Sequence, residues 1–347
     1  MAEWAWYGQG AAARLTRALL TPLGWAFGAV VGVRGALYDR GILHAAEPEL
    51  PVLGVGNLTV GGTGKTPVAA ELARRLRAAG ARPAIVLRGY GGDEPLVHAR
   101  LNPGVPVVAG ADRSAGVREA ASAGADLAVL DDVFQHRQLR RDLDIVLVSA
   151  DRWGRTPVRH LPAGPWRETL TALNRASLAI VTRKAAGEED VEDALSHVRE
   201  AAPGVPVAVA RLELGAMVGA AGDIEGEHRT LESIQGRRVV VAAAIGDPTA
   251  LLRQLQDSGA ELVPRVWPDH HAFTGNDAAA LASFGGDADL VVCTLKDAVK
   301  LAPLWPRVGL PLWYVSQAVT FERGEDEVRR VLTALLDARS SSPRNSR

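Results

Sequence analysis

The stretch Val52-Leu-Gly-Val-Gly-Asn-Leu-Thr-Val-Gly-Gly-Thr-Gly-Lys-Thr-Pro67 joins an apolar run to the glycine-rich segment Gly61-Gly62-Thr63-Gly64-Lys65-Thr66, and a helical pattern with Glu71, Leu72 and Leu76 follows. Strand, glycine loop and helix in that order make a phosphate-binding P-loop. Glycines let backbone N–H groups converge on phosphate oxygens, and the helix N-terminus adds its dipole. Lys65 supplies a point charge for the β- and γ-phosphates of a nucleotide, and the Thr66 hydroxyl is placed to ligate Mg²⁺. The first glycine of G-x-x-x-x-G-K-[ST] is replaced by Thr59. A dinucleotide reading of Gly54-Val-Gly56 fails at the same residue, where the third glycine of G-x-G-x-x-G would stand. Partition-type ATPases carry a signature lysine where this chain has Val60, which lowers that rival.

Further polar clusters follow apolar runs. After Leu127–Leu130 come Asp131-Asp132-Val-Phe-Gln-His136, two carboxylates where a Walker-B aspartate would hold magnesium. Arg88-Gly-Tyr-Gly-Gly-Asp-Glu-Pro95 follows Ala84–Leu87; Arg88 suits phosphate, and a carboxylate of Asp93 or Glu94 could take a proton from an attacking hydroxyl. Leu161-Pro-Ala-Gly-Pro-Trp-Arg-Glu168 presents Arg167 and Glu168, and by itself reads as a surface turn. Trp267-Pro-Asp-His-His-Ala-Phe273 concentrates Asp269, His270 and His271. Adjacent histidines in an extended segment face opposite ways, which favours proton handling by one of them over a shared zinc ion.

Positioning these groups requires parallel strands joined by helices. Apolar runs alternate with helical patterns: Val52–Val55, Pro67–Ala79, Ala84–Leu87, Ser114–Ala123, Leu127–Leu130, Ile145–Val148 and Ala179–Val181. Continuous apolar character implies strands covered on both faces, so the fold class is α/β with a doubly wound, mostly parallel sheet. A second series runs from Val239 to Leu336. The expected organisation is an N-terminal segment 1–44, a P-loop domain 45–214, a hinge 215–235, a smaller α/β domain 236–338 and a disordered tail 339–347.

With 347 residues, 39 basic and 40 acidic side chains, 47% apolar residues and one cysteine, the chain is neither disordered, fibrous nor disulfide-stapled. A net charge of −1 gives no field to draw nucleic acid. Cys293, in Leu290-Val-Val-Cys-Thr, reads as a small buried hydrophobe in a reducing compartment. The N-terminus lacks the marks of a signal peptide, which points to the cytoplasm. Ala18–Val33 is uncharged but falls short of the ~20 residues that span a bilayer, and Pro22 and glycines interrupt it. Arg14, Arg17, Arg34 and Arg40 with Trp25, Phe27 and Tyr38 would suit a helix lying in a membrane interface, while a helix packed on the core fits the same pattern.

Together these motifs resemble the tetraacyldisaccharide 4′-kinases, which phosphorylate the lipid A disaccharide precursor at the cytoplasmic face of the inner membrane. The resemblance rests on Val55–Pro67 with Thr59 included, Arg88-Gly-Tyr-Gly91, Gly92-Asp-Glu-Pro95, Asp131-Asp132 with Gln135-His136, Arg141-Asp-Leu-Asp144, Leu161–Pro165 with Arg167-Glu168, Asp269-His270 and Lys296-Asp297. It implies a large P-loop domain, a smaller domain joined by a two-stranded hinge, a helix at the membrane, and ATP and Mg²⁺ as cofactors. It implies no nucleic-acid partner. Carried over, Thr59, Gly61, Gly62, Thr63, Gly64, Lys65 and Thr66 hold the nucleotide, and Thr66, Asp131 and Asp132 serve magnesium. Asp93 and His270, expected in different domains and joined by closure, activate the sugar hydroxyl, with Lys65 acting on the phosphates. Arg88, Glu94, Gln135, His136, Arg167 and Glu168 line the site. Two departures stand out: Val133 replaces the usual glycine of Asp-Asp-Gly, with strain expected if the backbone there takes positive φ, and the connection into Asp93 is shortened. The alternative reading is a nucleotide-hydrolysing switch acting on a protein partner.

Overall fold

The computed structural model describes residues 2–89, 92–154, 158–285 and 288–340. The chain begins with α1 (Ala2–Tyr7), α2 (Ala11–Asp39), β1 (Val52–Asn57), α3 (Lys65–Ala78), β2 (Pro83–Leu87), α4 (Asp93–Leu101), β3 (Val107–Ala109) and α5 (Arg113–Ser122). Next come β4 (Leu127–Asp131), β5 (Leu143–Ser149), β6 (Leu178–Arg183), α6 (Glu188–Ala201) and β7 (Val207–Gly219). Then β8 (His228–Arg229), β9 (Arg238–Ala243), α7 (Thr249–Asp257), β10 (Glu261–Val266) and α8 (Gly275–Ala282) follow. Last are β11 (Leu290–Thr294), α9 (Leu295–Leu301), β12 (Leu312–Arg323) and α10 (Glu325–Ser340).

The chain divides into two compact units, one of residues 1–88, 102–210 and 321–347, the other of 89–101 and 211–320. In the first, strands lie in the order β6-β5-β1-β4-β2-β3 with every neighbour parallel. β1, β2 and β4 are buried at every position, as strands sandwiched between helical layers must be. With β4 on one side of β1 and β5 on the other, the winding reverses at β1, and a crevice opens beyond the carboxyl ends of these strands. Register sets Asp131 opposite Val55, at the mouth of that crevice.

The glycines of β1 have a packing reason. A Cβ on Gly54 would collide with the Asp144 carboxylate, which pairs with Arg141 at 2.8 Å, and one on Gly56 would stand 2.5 Å from Phe134 Cβ. α3 buries Val68, Ala69, Leu72, Ala73 and Leu76, and Arg75 and Arg77 in its last turn complement the helix dipole. α10 returns to this unit beside α3: Arg75 Nη1 lies 2.5 Å from Glu325 Oε1, with its guanidinium 4.7 Å from the centre of the Phe321 ring.

In the second unit β10-β9-β11-β12 run parallel, and β8 pairs antiparallel with β7. One core layer holds Val239, Val241, Leu251, Leu255 and Trp313, and another holds Val240, Ala242, Leu281, Cys293 and Leu301. Cys293 is fully buried, and burial pushes its thiol pKa well above the ordinary range.

The observed division departs from the linear boundaries 45–214, 215–235 and 236–338. Residues 89–101 belong to the second unit because α4 packs against α9, and β12 leads the chain back into the first. The stretch expected as a hinge begins as strand, since β7 continues to Gly219, and the two-residue strand β8 lies within it. The neighbouring strands β7 and β12 run through the division. α10 extends to Ser340, past the expected start of the tail at 339; residues 341–347 lie outside the described residues.

α2 is one uninterrupted helix of 29 residues, longer than the uncharged segment suggested, and by length and composition alone it could cross a membrane. Its inner face is nevertheless held along the first unit. Gly24 and Gly28 meet His160 and Ala163, Arg17 donates to the carbonyls of Ala5, Trp6 and Gly8, and Arg34 donates to that of Gln135. Its outer face carries Leu15, Leu19, Leu23, Trp25, Val30 and Val33, all more than half exposed. The expected basic rim is therefore reduced, because Arg17 and Arg34 turn inward to satisfy carbonyls. Phe27 and Tyr38 are also turned inward, Phe27 to His160 at 6.3 Å and Tyr38 between Arg34 and Arg137.

Candidate active site

The loop after β1 is fixed by side chains that lie outside the motif. Asn57, fully buried, donates through Nδ2 to Thr63 Oγ1 at 2.8 Å, and Thr182 Oγ1 donates to the Thr63 carbonyl at 2.9 Å. Gly61 (φ +123°) and Gly64 (φ +88°) take backbone conformations that a side chain would strain, and Gly64 delivers the chain into α3 as its N-cap. Gly62 accepts from Lys184 Nζ at 3.0 Å. Thr59 forms an antiparallel bridge with Trp166, and the Val60 N–H donates to the Pro165 carbonyl at 2.8 Å. Among the described residues only Asp132 and His270 combine a side chain with positive φ, so position 59 has no need of glycine.

Lys65 and Thr66 open α3 and face the end of β4. The Thr66 hydroxyl donates to Asp131 Oδ2 at 3.0 Å, and Lys65 Nζ lies 3.7 Å from Asp132 Oδ1. Arg167 Nη1 donates to the same Asp132 oxygen at 2.8 Å and to Gln135 Oε1 at 3.2 Å. Gln135 Nε2 donates to the Asn57 carbonyl and to Glu168 Oε1, while Arg175 holds the other Glu168 oxygen at 2.8 Å. Burial opposes ionisation of Asp132, but the charges of Lys65 and Arg167 more than offset it and hold its pKa below the usual carboxylate value. Arg113, buried at the start of α5, acts in the same direction. Sequence reading missed Arg113 because nothing separates it from an ordinary first helical residue behind the cap Asp112.

Three expectations change here. The left-handed residue in the turn is Asp132 (φ +53°), not Val133, and aspartate tolerates that region better than valine. Val133 is fully buried in the core and donates its N–H to the Val55 carbonyl; such burial is worth about 1.5 kcal/mol, so the branched side chain stabilises the turn rather than straining it. The segment expected as a surface turn is packed: Ala163, Gly164, Pro165 and Trp166 are buried, which fixes Arg167 and Glu168 in place. His136 lies outside the carboxylate network, with its carbonyl bonded to Arg141 Nη1. Burial and the nearby charges of Arg113, Arg141 and Arg34 lower its pKa from the ordinary histidine value.

The oxygen donors of Thr66, Asp131 and Asp132 suit Mg²⁺. Among the described residues no group of three or more His, Cys, Asp or Glu side chains forms a metal cage. Magnesium needs none, because it is commonly held by one or two carboxylates together with phosphate oxygens and water.

The second unit carries a separate cluster. Gly92 (φ +75°) turns the chain into α4, whose first residue Asp93 is 3% exposed. His270 Nδ1 lies 3.7 Å from Asp93 Oδ2, and Lys296 Nζ lies 3.9 Å from the same oxygen. Among the described residues neither Asp93 carboxylate oxygen receives a hydrogen bond. His270 has φ +60°, and its N–H donates to Asp269 Oδ1 at 3.0 Å. His271 serves another partner, Asp277, and stacks on Trp267. The expectation that Asp93 and His270 lie in different domains and meet on closure is overturned, since α4 belongs to the second unit and the pair is assembled within it. Arg88 is exposed just after β2 in the first unit, and Glu94 is half-buried in the first turn of α4 in the second. Tyr90 and Gly91 lie outside the described residues.

Residues 16–92 and 91–337 match the family model described as Tetraacyldisaccharide-1-P 4'-kinase, LpxK. The chain belongs to this family. It is 40% identical over 344 residues to a tetraacyldisaccharide 4'-kinase of Anaeromyxobacter sp. (strain K), covering 90% of this chain and 89% of that protein. It is 37% identical over 340 residues to one of Syntrophotalea carbinolica, covering 89% and 90%. Among solved structures it resembles an apo-form LpxK from Aquifex aeolicus in complex with ATP, with a TM-score of 0.73, 27% identity, and coverage of 92% of this chain and 99% of that one. The family match extends through both units, and nothing in it favours the switch-protein reading.

Proposed function

We propose that this chain transfers the γ-phosphoryl group of ATP to the 4′-hydroxyl of a tetraacylated glucosamine disaccharide 1-phosphate, the lipid A precursor. The observation that carries this reading is the pairing of Lys65 and Thr66 with the Asp132 and Asp131 carboxylates, in a chain that the kinase family model matches from residue 16 to 337. Bound ATP with Mg²⁺ supplies the phosphoryl group and neutralises its charge. The loop Gly61–Thr66 cradles the phosphates, with Thr59 anchoring its start. Lys65 would set its cation beside the β- and γ-phosphates, and Thr66, Asp131 and Asp132 would hold the magnesium. Gln135, Arg167 and Glu168 fix the orientation of Asp132, and Arg88 and Glu94 contact the substrates. In the second unit Asp93 accepts the proton of the acceptor hydroxyl, with His270 beside it. Positioning and charge neutralisation supply most of the rate enhancement of phosphoryl transfer, so few groups suffice.

Purified protein incubated with radiolabelled ATP, Mg²⁺ and the tetraacylated disaccharide 1-phosphate is expected to yield labelled lipid. Nucleotide hydrolysis that ignores glycolipid and responds to added protein would support the switch reading instead.

The outward apolar face of α2 supports peripheral attachment to the cytoplasmic face of the inner membrane. With its inner face bonded to the first unit, the helix lies along the surface, and the acceptor's acyl chains remain in the bilayer. The combined substitution Leu19→Glu, Leu23→Glu and Val30→Glu is expected to release the protein from sedimenting anionic vesicles without lowering its thermal stability. Equal sedimentation of variant and parent would refute the anchor.

A further inference from the structure

Lys296 opens the Lys296-Asp297 pair at the start of α9, and the phosphoryl-transfer roles above leave it without a task. Its Nζ lies 3.2 Å from His270 Nε2, 3.4 Å from Asp269 Oδ1 and 3.9 Å from Asp93 Oδ2. An ammonium has three N–H donors and no acceptor, so contact with a ring nitrogen requires that nitrogen to offer its lone pair. His270 Nε2 is thus placed to accept from Lys296. Neither Asp269 Oδ2, at 3.8 Å from Nε2, nor Asp93 Oδ2, at 3.7 Å from Nδ1, lies within hydrogen-bond reach, so the Lys296 contact is the one that distinguishes the two ring nitrogens. The other ring nitrogen, Nδ1, is the one that faces Asp93.

We infer that Lys296 is a positioning residue that fixes His270 as the neutral tautomer with its proton on Nδ1, directed at Asp93, so that Asp93 alone acts as the base. The inference rests on the kinase reading for its catalytic consequence. The left-handed backbone of His270 and the bond from its N–H to Asp269 Oδ1 aim the ring, and Lys296 determines which nitrogen carries hydrogen. With Nε2 occupied by Lys296, the acceptor proton has one destination. It passes from the hydroxyl to an Asp93 oxygen as the hydroxyl oxygen bonds to phosphorus and the bond to the leaving diphosphate breaks. Among the described residues, the charged groups within 4 Å of the His270 ring are Asp93 from α4, Asp269 from its own loop and Lys296 from α9.

The test uses the full chain with ¹⁵N-labelled histidine rings, and His270→Gln assigns the signals. His270 is expected to show the Nδ1–H pattern in the parent protein and to lose it in Lys296→Gln, with free exchange between tautomers or protonation in its place. In kinetics Lys296→Gln is expected to lower kcat by about 10- to 100-fold with KM for ATP within twofold. Lys296→Arg, which keeps a cationic donor, is expected to retain the Nδ1–H pattern. An Nε2–H pattern in the parent, or an unchanged tautomer in a folded Lys296→Gln, would overturn the inference. The tautomer measurement needs no substrate, so absence of lipid phosphorylation by the parent protein would count against the kinase reading separately.

Discussion

Replacing Lys65 by alanine is expected to lower kcat for lipid phosphorylation by at least about 10²–10³-fold, the scale associated with loss of one preorganised group that stabilises transition-state charge. The residue stands where helix α3 meets the glycine loop, with a side chain only 15% exposed, so its ammonium is poorly screened by water. Its removal also leaves Asp132 with Arg167 as its close partner, and the carboxylate pKa is expected to rise toward its ordinary value. Lys65→Arg is not expected to restore full rate, because a planar guanidinium does not fit where a compact ammonium packs beside the loop. The check is single-turnover transfer from radiolabelled ATP, with folding followed by thermal melting. Turnover by Lys65→Ala within tenfold of the parent would remove the lysine from the phosphate site.

Asp93→Asn is expected to lower kcat by about 10²–10⁴-fold while KM for ATP stays within twofold. The substitution keeps shape and removes the basic lone pairs. Neither oxygen of Asp93 is committed to a hydrogen bond among the described residues, so the loss falls on its ion-pair neighbours His270 and Lys296. Asp93 is assigned to the proton of the acceptor hydroxyl and not to the nucleotide, which is why ATP affinity should not follow kcat. His270→Gln is expected to fall less far, since it removes the neighbour of the base and leaves the base. Unchanged turnover in Asp93→Asn would sink the general-base assignment.

The P-loop and the acidic end of β4 were legible because their chemistry is local: glycines, lysine and threonine follow one strand within a few residues, and two carboxylates follow another. The ownership of residues 89–101 was not, because it depends on α4 packing against α9, some 200 residues further along the chain. Nor was the left-handed turn at Asp132, since the burial of Val133 that helps hold it is contributed by distant strands. Arg17 and Arg34 misled for a related reason: their sequence neighbours form an apolar helix, yet the partners that draw them inward are carbonyls of α1, the turn after it and the Gln135 segment. Lys296 carried a motif signal without a role, and only the convergence of α9 on Asp93 and His270 supplies one.

The return of α10 to the first unit bears on the order in which the protein acquires its shape during synthesis. Translation delivers the P-loop early, yet Phe321 and Glu325, which cover Arg75 on α3, leave the ribosome only after the whole second unit has been made. The second unit must in turn wait for β12, more than 200 residues after its own first segment at 89–101. Neither unit is complete on a nascent chain that stops short of β12, so half-made chains carry a phosphate-binding helix with an uncovered flank. Partial chains of this kind are natural clients for holding chaperones, and nucleotide binding is expected to mature only near release.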